Sequence, residues 1–146
     1  MKTSLPRKQK GAVAIEFALV FVIFFAVFYG LVTYSLPLLM MQSFNEATAE
    51  AVRRSVALDP ATPNYKSAVE ALANAVLRQK LEWLPSTLNI TWGVDTSADY
   101  TAGVLTAKVK YPSSKLNQVL PFLVLPGVGK VPNLPDYLSA QSSLQF

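Results

Sequence analysis

From Ala12 to Met41 the chain reads AVAIEFALVFVIFFAVFYGLVTYSLPLLMM, thirty residues in which Glu16 is the only charge. As a helix this run is ~45 Å long, against a bilayer hydrocarbon core of ~30 Å. A secretory signal has an apolar core of roughly 7–15 residues followed by a small-residue cleavage site. This run is about twice that length, and no site of that kind follows it. The expectation is a helix that crosses a membrane and stays with the protein.

Charge placement orients it. Lys2, Arg7, Lys8 and Lys10 precede the run with no acid among them. Beyond the run no basic residue appears until Arg53. The positive-inside rule then puts the N-terminus in the cytoplasm and residues after about 42 on the far side. The formal net charge of +4 is the charge of this leader; the nine basic residues after it balance nine acidic ones. No basic patch with interleaved aromatics is present, so no nucleic-acid partner is expected. The lipid bilayer is the first expected partner.

A carboxylate deep in lipid costs about 2.5–3.5 kcal/mol on insertion scales. Glu16 stands ~6 Å into the run, where the cost is smaller, and it reads either as a tolerated acid near the headgroups or as a functional group. It is the fifth residue after Gly11. If a protease cuts after Gly11, Ala12 becomes a new N-terminus with a charged amine in or beside lipid, where an unpaired charge is unfavourable. A carboxylate one helical turn along a neighbouring copy can neutralise that amine when subunits stack with an axial stagger. The amine of its own helix competes at similar range. Gly11 and Ala12 are thus the candidate processing site, and Glu16 is the candidate assembly and register residue. Pro37 is a candidate helix kink, because it lacks an N–H and crowds the carbonyl four residues back. Thr33 stands ready to bond freed carbonyls.

The stretch Lys10-Gly11-Ala12-Val13-Ala14-Ile15-Glu16-Phe17 resembles the type IV pilin and pseudopilin processing site. More narrowly, Gly11 to Val20 resembles the opening of TadE-like proteins, minor pseudopilins of the tight-adherence (Tad) pilus. The resemblance runs over roughly residues 7–58 and includes a glycine midway along the apolar run, Gly30. It departs from the family at Val22, where a proline is common, and at Thr33, where a second acid is common. It implies a minor pilin or pseudopilin that assembles or primes a Tad-type pilus. It implies a prepilin peptidase acting after Gly11, contacts with other pilin or pseudopilin subunits through the N-terminal helix, and an inner-membrane assembly platform. The implied location is the bacterial inner membrane, single-pass, with a periplasmic C-terminal domain that can enter a surface pilus. The alternative is an uncleaved, single-pass accessory or binding protein of the cell envelope.

The remainder reads as a small α+β domain. Residues 42–58 continue the helix, with Phe44, Ala47, Ala51, Ser55 and Leu58 on one face. Thr62-Pro63 offers a cap for a second helix that ends before Pro85, with Tyr65, Val69, Leu72, Ala73, Val76 and Leu81 as its apolar stripe. Period-two alternation predicts strands at Leu88–Val94, Gly103–Tyr111 and Leu138–Phe146, with a polar turn at Asp95–Ala102 between the first two. Pro112–Asp136 holds five prolines and the apolar run Val119–Pro126. It reads as a loop folded over the core edge, or as an exposed patch that docks on a neighbour or on the membrane. The expected layout is a leader over 1–11 that is removed, a transmembrane helix over 12–41, an amphipathic continuation over 42–58, and a domain over 59–146.

Chemistry has little to stand on. With no cysteine and no histidine, disulfides, thiolates, His ligands and His bases are excluded. Ser113, Ser114 and Lys115 adjoin, but nothing orients them as a dyad. Gly127-Val128-Gly129-Lys130 lacks the spacing of a phosphate-binding loop. A structural protein without catalytic, cofactor or metal sites is expected.

Overall fold

A run of apolar residues with no helix breaker before Pro37 gives one long helix. The structure, a computed structural model, describes residues 9–125, 127 and 129–146. Lys2, Arg7 and Lys8 lie outside the described residues. Helix α1 runs unbroken through Gln9–Ser55, 47 residues and ~70 Å. Arg53 and Arg54 occupy its last turn, where cations complement the negative end of the helix dipole. Both reach back to Glu50, at 2.6 and 2.7 Å. The amides of Ala57 and Leu58 then bond the carbonyls three residues back and tighten the end before Asp59-Pro60.

One stripe of α1 is buried at spacings of three and four: Thr33, Pro37, Met40, Phe44, Ala47, Ala51 and Ser55. The predicted face of residues 44–55 is borne out, with Leu58 half-buried. The same face continues back into the apolar run as far as Thr33. Pro37 is inside the helix and buried against the domain. The Thr33 hydroxyl donates to the carbonyls of Tyr29 and Gly30 at 2.9 and 3.1 Å.

Helix α2, Tyr65–Leu81, buries Val69, Ala73, Val76, Leu77 and Leu81. It starts later than Thr62-Pro63 suggests. Asp59 explains the shift: its carboxylate accepts the Ala61 amide and its carbonyl the Thr62 amide, both at 2.9 Å. That turn occupies residues 59–62, and the cap position passes to Asn64 in the left-handed conformation.

The α-helices cover one face of a three-stranded antiparallel sheet, order β1-β2-β5. Its strands are β1 (Thr96–Thr101), β2 (Val104–Pro112) and, last in the chain, β5 (Tyr137–Gln145). On central β2, Leu105, Ala107, Val109 and Tyr111 point inward as the alternation predicted. On β5 the inward row begins with Leu138 and Ala140 and fades to Leu144, which is exposed. Ser142, still on that row, shares a 3.1 Å hydrogen bond with Thr48 of α1.

The first predicted strand is misplaced. Leu88–Val94 contains the end of a 3-10 turn at Ser86–Leu88, then Asn89 and Gly93 at positive φ, 49° and 84°. The buried carboxylate of Asp95 takes the Thr91 amide at 2.7 Å and curls the segment around itself. The segment expected as a turn, Asp95–Ala102, instead supplies β1, whose pairs run from Thr96↔Val109 to Thr101↔Val104. Ala102 and Gly103 close the hairpin with φ of 53° and 78°, the double positive φ of a two-residue turn that matches strand twist.

The proline-rich region splits in two. A 3-10 helix at Ser113–Gln118 buries Leu116. After it, β3 (Leu123–Leu125) and β4 (Gly129–Val131) pair as a separate hairpin that the sequence reading did not anticipate. Phe122 and Leu134 pack on the core, as a loop over its edge would, whereas Val124 is 78% exposed.

Candidate functional site: the bare N-terminal half of α1

From Gly11 to Phe28 every residue of α1 is exposed. This is where the processing and register residues of the sequence reading sit. Gly11, Ala12 and Glu16 are all exposed among the described residues. A Cβ built on Gly11 would meet nothing within 4 Å, and the same holds at Gly30. Glycine also weakens a helix by up to about 1 kcal/mol relative to alanine. The fold therefore gives no reason for glycine at residue 11.

The bare surface is strongly aromatic. Phe17, Phe21, Phe25 and Tyr29 stack in steps of four residues, with ring centroids 6.2, 6.3 and 6.3 Å apart. A second row pairs Phe24 with Phe28 at 6.2 Å. Glu16 heads that second row, two steps of four before Phe24. Side chains this large and this exposed on a soluble helix would associate or aggregate. On a helix in lipid they are ordinary. Among the described residues, α1 is the helix long and apolar enough to cross a membrane, by length and composition.

The domain first touches α1 at Tyr29. Its hydroxyl donates to the Pro121 carbonyl. Five residues on, the Tyr34 hydroxyl accepts the Asn133 amide at 2.8 Å. Thr33, between them, is 2% exposed. Sequence reasoning missed this pair of tethers, although tyrosine near the end of an apolar run is a known mark of a membrane interface.

At the other end of α1, Glu50 lies under the guanidinium groups of Arg53 and Arg54, whose hydrogen bonds hold its carboxyl down to about 2. The Arg53 guanidinium is correspondingly raised by Glu50. Lys80 and Gln79 of α2 reach Glu46 and Arg54 of α1 at 2.8 and 3.1 Å. These polar bridges belong to the seam between the helices and leave the N-terminal half untouched.

No curated protein and no solved structure matches the chain. Residues 11–53 match a family model. The matched stretch begins at Gly11, takes in the bare aromatic surface and Glu16, and ends within two residues of the end of α1. The match is to the family described as TadE-like protein, so residues 11–53, less than a third of the chain, are what is similar to that family.

Proposed function

We propose that the chain is a structural, pilin-like subunit associated with a Tad-type pilus, processed after Gly11 and anchored by α1. The observation that carries the reading is a coincidence of limits. The family match starts at the residue where the reading puts the cut and covers the one long surface that the domain leaves bare.

Length supports a span at this end of the helix. The bare stretch from Gly11 to Phe28 measures ~27 Å, close to the ~30 Å hydrocarbon core. The domain begins to clothe α1 at Tyr29–Thr33, so the bare length and the bilayer thickness agree. In this reading the leader is cytoplasmic, the membrane is the inner membrane, and the domain faces the periplasm.

Glu16 follows from the same geometry. Once Ala12 is the first residue, its amine and the Glu16 carboxylate of an adjacent helix are opposite charges in a medium that screens them poorly. Pairing them is worth most at one axial stagger, so the pair sets register. The aromatic rows beside it offer large flat surfaces for the neighbouring helix. A prepilin peptidase, sister subunits and an assembly platform are the partners this requires. The role needs no catalytic group.

Two measurements test it. The mass of the protein isolated from its native host is expected to begin at Ala12; a retained leader in cells with active prepilin peptidase would overturn the reading in favour of a simple anchor. Glu16→Val is expected to insert and be cut normally but to be largely lost from assembled fibres. Unchanged incorporation would remove the register role.

A further inference from the structure

We propose that the β3–β4 hairpin is a second membrane contact, with Leu123, Val124 and Leu125 lying in the outer interfacial layer of the bilayer that α1 spans. The inference rests on the reading of α1 as a span.

The two tethers set the hairpin's attitude. Leu123 pairs with Val131 and Leu125 with Gly129, and Pro121 and Asn133 each stand two residues beyond the open end of that ladder. Pro121 is held at Tyr29 and Asn133 at Tyr34. Those tyrosines are five residues apart, ~7.5 Å along the helix. The end of the hairpin that leads into β3 is therefore tied nearer the bare part of α1, and the end that leaves β4 is tied nearer the domain.

Depth agrees with this. Tyr29 lies ~26 Å along the helix from Ala12, near the outer edge of a ~30 Å hydrocarbon layer. A strand that starts two residues after the tether at Tyr29 begins near that edge. Its residues suit the position. β3 reads Leu-Val-Leu, with Val124 78% and Leu123 38% exposed and Leu125 half-buried.

The partner strand carries the charge. Lys130 stands directly opposite Val124. Its Nζ lies 4.5 Å from the centre of the Phe122 ring. An apolar strand on the lipid side and an ammonium one strand further out follow the polarity gradient from acyl chains to headgroup phosphates. A basic residue at an anionic surface adds attraction there. The hairpin thus continues the lipid-facing surface of α1 and fits a bilayer edge in both shape and charge.

The chain has no cysteine, so a single introduced thiol reports one position. The test uses the full chain in vesicles of phosphatidylethanolamine and phosphatidylglycerol. Val124→Cys, Phe24→Cys and Ala61→Cys each carry an environment-sensitive fluorophore. Lipid nitroxides are placed either at the headgroup or deep in the acyl chains. The probe at residue 124 is expected to shift to the blue and to lose most of its emission to the headgroup nitroxide and little to the deep one. The probe at residue 24 should show the reverse order, and the probe at residue 61 should respond to neither.

If the residue-124 probe behaves like the one at residue 61 while residue 24 is quenched, the span stands and the hairpin contact is wrong. If the residue-124 probe is shielded from lipid nitroxide and from aqueous iodide alike, a second copy covers the strand, and the proposal is overturned in that way. If residue 24 is not quenched either, the span itself has failed and the hairpin contact falls with it.

Discussion

Lys115 donates from Nζ to the Asp95 carboxylate at 2.5 Å, joining the 3-10 helix after β2 to the residue before β1. The same ammonium also reaches the Asn89 carbonyl at 2.9 Å and the Thr91 hydroxyl at 3.3 Å. Asp95 is 3% exposed. The loop from Asn89 to Asp95 is thus wrapped around an ion pair, and the pair decides that this loop is not a strand.

Removing the two partners should have unequal effects. Lys115→Met leaves a buried carboxylate with only the Thr91 amide, at a cost of about 3–5 kcal/mol. Asp95→Asn leaves an ammonium whose side chain is 24% exposed and can reach water, so the loss is about 1–3 kcal/mol. The double variant should recover part of the larger loss. Urea unfolding of the domain in detergent, followed by tryptophan emission, measures all three. A double variant that is no better than the sum of the two singles would show the groups to be uncoupled.

Tyr111 gives the domain a limit in alkali. It is fully buried beside Phe44 of α1, with ring centroids 6.2 Å apart, and its hydroxyl donates to the Leu88 carbonyl at 2.7 Å. Burial first, and the Asp95 charge second, push its phenol up to about 12. In the unfolded chain it titrates near 10. The folded state thus holds this proton more tightly. The contribution is fully present below pH ~10 and is lost as pH rises from there through about 12. Stability measured from pH 9 upward should fall over that window. Tyr111→Phe should flatten its own share of the fall and cost about 1–3 kcal/mol at neutral pH, because the Leu88 carbonyl loses its donor. An identical slope in the variant would assign the alkaline loss to other groups.

Gly11 separates folding from processing. A side chain there meets nothing, so Gly11→Val should leave the unfolding midpoint of the domain unchanged within about 0.5 kcal/mol. The same variant should keep its leader in a host with active prepilin peptidase, as read by mass. Efficient removal of the leader from Gly11→Val would show that the protease does not need the glycine.

The sequence by itself determined the long helix, the basic residues ahead of it, the isolated Glu16, the amphipathic α2 and the inward rows of β2 and early β5. Each of these is written in contrast, as apolar against polar at a fixed period or as a charge alone in an apolar run. Only the tertiary structure decided where α1 stops facing outward and begins to face a core. Between Thr33 and Met40 both faces of the helix are apolar, so no period in the residues marks the change. It also decided β1, a polar strand recruited by pairing with β2 and by the Ala102-Gly103 turn, and it tied the open end of the β3–β4 hairpin to α1 through two tyrosine hydroxyls. Those outcomes depend on hydrogen bonds between residues tens of positions apart, which leave no local pattern in the chain.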